Sequence, residues 1–303
     1  MSARKKRHLA ILAKEITMKL SMLKLLTILA LLSNFSLFAA AEKKESSDQK
    51  VLAFLEQAVS NNENYTLEKA TIVKKEPLKE IAGWTAYFVR IDLKLKDGSK
   101  TVSLSDVVFS DGVLFSKDFT ALGSKRSIKS RFSLDMDAKA YDKEHLLLGN
   151  FDAPHKLVIF SDPLCPFCMD FVPEVIEDVQ KNPETFALFY YHFPLSIHPA
   201  SPTLVKAILL AEEKGDKAIT QKVYKAYLDI QEKDEQKILD IFNKTFNKRF
   251  TLQEINQASI LKRLNDDLAF AQTMMVNATP TIYIDGKKDD TKKVYKTFMK
   301  ESK

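Results

Sequence analysis

The 303-residue chain has two cysteines, and they lie three positions apart in Cys165-Pro166-Phe167-Cys168. The preceding run Lys156-Leu157-Val158-Ile159-Phe160-Ser161-Asp162 reads as a buried strand, and an amphipathic helix pattern follows it. A sulfur at the start of that helix faces unpaired backbone N–H groups and the positive end of the helix dipole, a setting that favours thiolate. Thiolate is the attacking species in disulfide exchange, and a second thiol one turn away resolves the mixed disulfide. The expected chemistry is therefore redox. As a structural staple the pair would close a loop of four residues, worth about 2 kcal/mol in the chain-entropy model against about 4.7 for a 100-residue loop. As a metal site it supplies two ligands of the usual four, and no second C-x-x-C or H-x₃₋₅-H spacing completes the set. No metal and no cofactor is expected.

The elements that must position the pair fall into four segments. Residues 1–41 read as a secretory signal: a basic stretch through Lys24, an apolar run from Leu25 to Phe38, and Ala39-Ala40-Ala41 as the cleavage site. The apolar run is short for a bilayer span, which needs about 20 residues, although a retained anchor is the competing reading. Met18 or Met22 as the true start would give a more compact basic region. The whole chain carries 46 Lys and Arg against 40 Asp and Glu; residues 1–41 hold seven basic and one acidic residue, so the remainder balances at 39 of each sign. The basic character belongs to the targeting segment, and a nucleic-acid partner loses its support. Export would deliver the cysteine pair to an oxidising compartment, the periplasm, where disulfides are available as substrates.

Residues 42–116 read as a small α+β module. A helix begins at Val51, a strand alternates from Tyr87 to Leu95 with one apolar and one charged face, and Asp97-Gly98 signals a hairpin into Val102–Val108. Asp111-Gly112 marks a further turn. So small a module buries a modest core, so it either pairs with a second copy or packs on its own chain. Residues 117–143 are polar, with Lys125, Arg126, Lys129 and Arg131, and read as a partly helical linker. From 144 to 303 the order is strand, strand, C-x-x-C helix, strand (Phe186–Tyr191), a helical block over 200–275, a strand at Thr281–Ile284 and a charged terminal helix. Pro173 falls inside the first helix and predicts a kink. His192 and His198 are expected at the end of the third strand in mainly structural roles, and Asp266-Asp267 on a solvated helix face.

At this point the residues resemble a family. Asp162-Pro163-Leu164-Cys165-Pro166-Phe167-Cys168 resembles the active-site stretch of the Dsb family of thioredoxin-fold proteins, in particular its DsbC/DsbG branch, and Asn277-Ala278-Thr279-Pro280-Thr281 resembles the cis-proline loop that accompanies it. The resemblance is close over about 145–300 and looser over 45–140, where the layout resembles that branch's dimerisation domain and linker. It implies a thioredoxin fold with a helical insertion behind a small α+β domain, an α/β (α+β) architecture. It also implies Cys165 as nucleophile, Cys168 as resolving thiol, and Thr279 and Pro280 lining a substrate groove. Pro166 and Phe167 would tune the redox potential; the pair lacks the histidine of the DsbA-type oxidants. Thr279, where those oxidants have valine, leans the same way, toward isomerase or reductase work. The partners implied are exported cysteine-containing proteins, a membrane redox protein that recycles the pair, and a second copy of the chain. A dimeric oxidase, a reductase serving cytochrome maturation, and a periplasmic chaperone with idle cysteines are the alternatives.

Overall fold

The computed structural model describes residues 46–60, 62–98 and 101–299. The signal segment expected over 1–41 lies outside the described residues. Among the described residues no helix is long and apolar enough to cross a membrane. The chain divides into Met1–Lys50 and Val51–Lys303, and the second unit contains all three sheets of the described residues.

Helix α1 (Ser47–Ser60) precedes an antiparallel sheet of β1 (Tyr65–Pro77), β2 (Thr85–Leu95), β3 (Thr101–Ser110) and β4 (Phe115–Ser116), in that order. The expected half-buried strand differs here. β2 is buried on both faces from Ala86 to Val89. Tyr87 and Val89 meet Val51 and Leu55 on one face, while Ala86 and Phe88 meet Val107, Phe109, Trp84, Phe119 and Phe132 on the other. The second layer comes from the segment read as a polar linker, whose apolar residues Phe119, Phe132 and Leu134 cover the sheet. That segment is not helical along its length. It holds a two-residue hairpin, β5 (Thr120–Ala121) with β6 (Arg126–Ser127), and 3-10 turns at Lys129–Arg131 and Ala138–Ala140.

The second sheet has β7 (Leu146–Gly149), β8 (His155–Ser161), β9 (Phe186–His192), β10 (Thr281–Ile284) and β11 (Lys287–Lys288) in the order β11-β10-β8-β9-β7. β8 and β9 run parallel, joined through α2 (Pro166–Lys181), while β10 and β7 flank them antiparallel. A parallel pair needs such a crossover, and the apolar stripe Val172, Val175, Ile176 and Val179 seats α2 on one sheet face. α2 is assigned as one helix through Pro173. Between β9 and β10 the chain adds α3 (Ser201–Glu213), α4 (Ile219–Ala226), α5 (Glu235–Phe246), α6 (Leu252–Ile255) and α7 (Ala258–Thr273). Most of this helical block packs on itself, around Leu204, Ile208, Leu239 and Phe242. The charged terminal helix expected after β11 is instead one 3-10 turn, Val294–Phe298, anchored by the fully buried Tyr295.

Gly149 closes β7 with φ +84°, and a Cβ there would stand 2.0 Å from the Phe186 carbonyl oxygen. Gly149→Ala therefore meets both left-handed strain and a backbone clash at the sheet edge. The expected loss is about 2–3 kcal/mol or more, read as a drop in melting temperature of several degrees; an unchanged melting temperature would rule out this packing of β7 on β9.

Candidate functional site

Strand β8 delivers Ser161 and Asp162 into the interior, and both are fully buried. The chain then turns sharply. Asp162 Oδ1 accepts from the Leu164 N–H at 2.8 Å, and the Cys165 N–H donates to the Asp162 carbonyl at 3.1 Å. Cys165 takes the N-cap position of α2 with extended backbone (φ −75°, ψ 121°), and Pro166 follows at the first helical position, where a missing N–H costs nothing. The N–H groups of Cys168 and Met169 both close on the Cys165 carbonyl at 2.9 Å, so the two sulfurs share the first turn. Pro166 and Phe167 project outward, Phe167 with 73% of its surface exposed. Cys165 is recessed at 4% and Cys168 is fully buried.

The loop before β10 brings Thr279 and Pro280 against the pair. The Thr279–Pro280 bond is cis, and the Cys165 thiol donates to the Thr279 carbonyl with Sγ 3.7 Å away. Burial pushes the Cys168 thiol up to about 12, and the nearby Cys165 adds to the rise. The polar Ser161 and Thr279 hydroxyls and the Asp162 backbone pull in the opposite direction and lose. Cys168 is thus a neutral thiol at ordinary pH.

Several residues of the site were not singled out in the sequence. Asp162 is one: its carboxylate accepts from Leu164 N–H, Leu195 N–H (2.8 Å), Ser201 Oγ (2.5 Å) and His198 Nδ1 (2.8 Å), tying the active-site turn to the segment after β9 and to α3. His198 thereby acts on the site through Asp162. Ser161, Tyr190 and Tyr224 are others, with buried hydroxyls that meet behind Cys168. The only sequence signal for these was polarity inside otherwise apolar strand and helix patterns.

Asp267 corrects the expectation of a solvated pair. Asp266 is exposed and bonds Lys262, but Asp267 is 3% exposed, accepting from the His192 N–H and from His145 Nε2 at 2.8 Å each. Burial disfavours the charged form of His145, yet Asp267 and Asp142 outweigh it and hold the pKa above the ordinary 6.5. Burial lowers His192 to about 4, with Asp267 only partly opposing. The two act in separate windows. The unfolded chain protonates His192 near 6.5 and the folded one resists until about 4, so acidification between these values costs up to about 3 kcal/mol. The His145 contribution is complete below 6.5 and is lost as pH rises through its raised pKa. His192→Gln should flatten the acid limb in urea midpoints taken from pH 7 to 4.5; an unchanged slope would assign the acid sensitivity elsewhere.

With the geometry in hand, comparison with known proteins gives the class. The Thioredoxin family profile matches residues 141–301, more than half of the chain. The chain belongs to the thioredoxin family. Among curated proteins it is 26% identical over 153 residues to Na(+)/H(+) antiporter NhaA 1 of Mycolicibacterium vanbaalenii and 27% identical over 150 residues to that of Mycolicibacterium gilvum, in each case over 48% of this chain and 24% of the relative. The chain thus spans about a quarter of the length of the curated relatives it matches. Among solved structures it resembles BdbD from Bacillus subtilis (22% identity, TM-score 0.41, covering 54% of this chain and 91% of that one) and Proteus mirabilis ScsC (21%, 0.41, 52% and 71%). It also resembles Pseudomonas aeruginosa DsbA2 (20%, 0.37, 49% and 89%).

Proposed function

We propose that the chain is an exported thiol–disulfide oxidoreductase that reduces or isomerises disulfides of periplasmic proteins through Cys165 and Cys168. The observation that carries this reading is the placement of the Cys165 sulfur at the start of α2, 3.7 Å from the Thr279 carbonyl, with Cys168 buried one turn behind. Cys165 attacks a client disulfide, giving a mixed disulfide and a client thiol. Cys168 then attacks the Cys165 sulfur, releasing the second client thiol and leaving the pair oxidised for a membrane partner to recycle. Thr279 and Pro280 line the groove in which an extended client segment lies, and Phe167 offers it an apolar surface.

The module over 42–116 serves in this reading to pair two chains. Support comes from exposed apolar side chains on it, Val113 at 86%, Leu114 at 60% and Leu104 at 48%. The N-terminal basic and apolar segment supports export to the periplasm. Insulin reduction by the purified protein tests the chemistry, and no reduction would leave the chaperone reading. Thiol trapping in cells tests the direction: a mostly reduced pair fits isomerase or reductase work, and a mostly oxidised one would make the protein an oxidase. Light scattering tests the pairing.

A further inference from the structure

Helix α7 ends in a way its sequence does not favour. The Val276 N–H donates to the Ala271 carbonyl at 2.8 Å and the Met275 N–H to the Gln272 carbonyl at 3.0 Å. This paired closure turns the residue after the cap into the left-handed region, and that residue is Met275, at φ +57°. Glycine is usual at such a position, because a Cβ there crowds the backbone. Methionine holds it under strain, so a compensating contact is required.

That contact lies on the first sheet. Met275 packs against the cluster of Leu78, Ala86, Phe88, Val107 and Phe109, on the face covered by the 117–143 segment. Every other member of that cluster comes from residues between Leu78 and Leu134. The neighbours Met274 and Val276 instead enter the core of the second sheet with Val158 and Tyr283. Met275 therefore leaves the core of its own neighbours and fastens the end of α7 to the N-terminal module.

Four residues further on stands Thr279, whose carbonyl lies 3.7 Å from Cys165 Sγ. Between them Asn277 and Ala278 are exposed. At the far end, the Thr281 hydroxyl donates to the Ala278 carbonyl at 2.7 Å and β10 begins. The loop is thus held by β10 on one side and by residues 274–276 on the other. A cavity of about 530 Å³, lined by Leu104, Phe132, Phe193, Gln272 and Asn277 among others, opens beside Met275 and leaves the near end room to shift. Leu134 also joins both clusters, so truncating Met275 should not part the two sheets.

We propose that Met275 is a positioning residue for client binding: it fastens the near end of the Thr279–Pro280 loop to the first sheet and so sets where the Thr279 carbonyl stands beside the Cys165 sulfur. This deepens, and rests on, the reading that an extended client segment lies along that loop while Cys165 attacks. It gives the N-terminal module a part in the active site of its own chain, separate from any pairing of chains. The sulfur chemistry belongs to α2 and is untouched; Met275 contributes the alignment of the loop to the client.

The reduced full-length protein is mixed with increasing excess of a peptide dimerised through one central cysteine, and separately with oxidised glutathione, which is too short to lie along the loop. Loss of the reduced form is followed by mass after acid quench. Met275→Ala should raise the half-saturating peptide concentration about tenfold, with the limiting rate and the glutathione rate within about twofold of the parent. Met275→Leu, which refills the contact, should return the half-saturating concentration to within about twofold. Met275→Gly relieves the left-handed strain and should melt above Met275→Ala, yet bind peptide no better. A role confined to stability would order the variants by melting temperature, whereas this one orders them by side-chain volume at 275. Parent-like half-saturation in Met275→Ala or Met275→Gly overturns the proposal, as does equal slowing toward glutathione. A parent protein that reacts with neither disulfide is a distinct result: it removes thiol exchange itself, and the proposal with it.

Discussion

Replacing Cys165 with serine is expected to abolish thiol exchange, by at least about a thousandfold in insulin reduction, because the group that bonds to the client is gone. Cys168→Ser is expected to behave differently. Its Cys165 still attacks, but nothing behind it displaces the client, so disulfide-linked adducts should accumulate and run as high-mass bands on non-reducing gels. The structure makes this asymmetry strong. Cys168 is fully buried and cannot substitute as the attacking sulfur, whereas Cys165 lies at the surface end of the pair beside Thr279 and the exposed Phe167. Residual insulin reduction in Cys165→Ser, or an absence of adducts in Cys168→Ser, would overturn the assignment of roles.

Asp162→Ala is expected to be the most damaging change that leaves both thiols in place. Four donors converge on this fully buried carboxylate: the N–H groups of Leu164 and Leu195, the Ser201 hydroxyl and His198 Nδ1. Deleting the acceptor strands all four in a space that water reaches poorly, and the expected cost is about 3–5 kcal/mol. The turn that sets Cys165 at the start of α2 loses its tether, so thiol exchange should fall as well as the urea midpoint. Asp162→Asn keeps the shape but presents an amide to donors and should be intermediate. A loss below about 1 kcal/mol for Asp162→Ala would mean that the turn is held by the backbone alone.

The resemblance in the sequence pointed to both halves of the site because each is a short contiguous run, Asp162–Cys168 and Asn277–Thr281, and the structure brings those runs together. The β2–β3 hairpin was also legible, since Asp97-Gly98 separates two alternating stretches and Gly98 has the positive φ the turn requires. β1 was not. Its register slips between Leu67 and Lys69 and again between Ile72 and Lys74, so its apolar residues change face and no simple alternation survives. α5 fell within the helical block expected over 200–275 but was not separated from it, although Asp234 caps it, accepting from the Lys237 N–H. The Asp267 environment depends on His145 and His192, residues more than 70 positions away, and the hydroxyl cluster draws on three elements. Such convergence leaves no local pattern to read.

If the chain works as proposed, the recess of Cys165, at 4% exposure, would act as a kinetic filter. A disulfide would on that reading reach it only as a protruding, locally extended strand passing the exposed Phe167, because a sulfur flush with a rigid surface stays out of bonding range. For a tightly folded client, turnover is then governed by how often the client opens around its own disulfide, and chemistry at the enzyme follows that event. On the proposed function, mature proteins would be spared in proportion to their local stability, and misfolded chains with loose disulfides would be processed first.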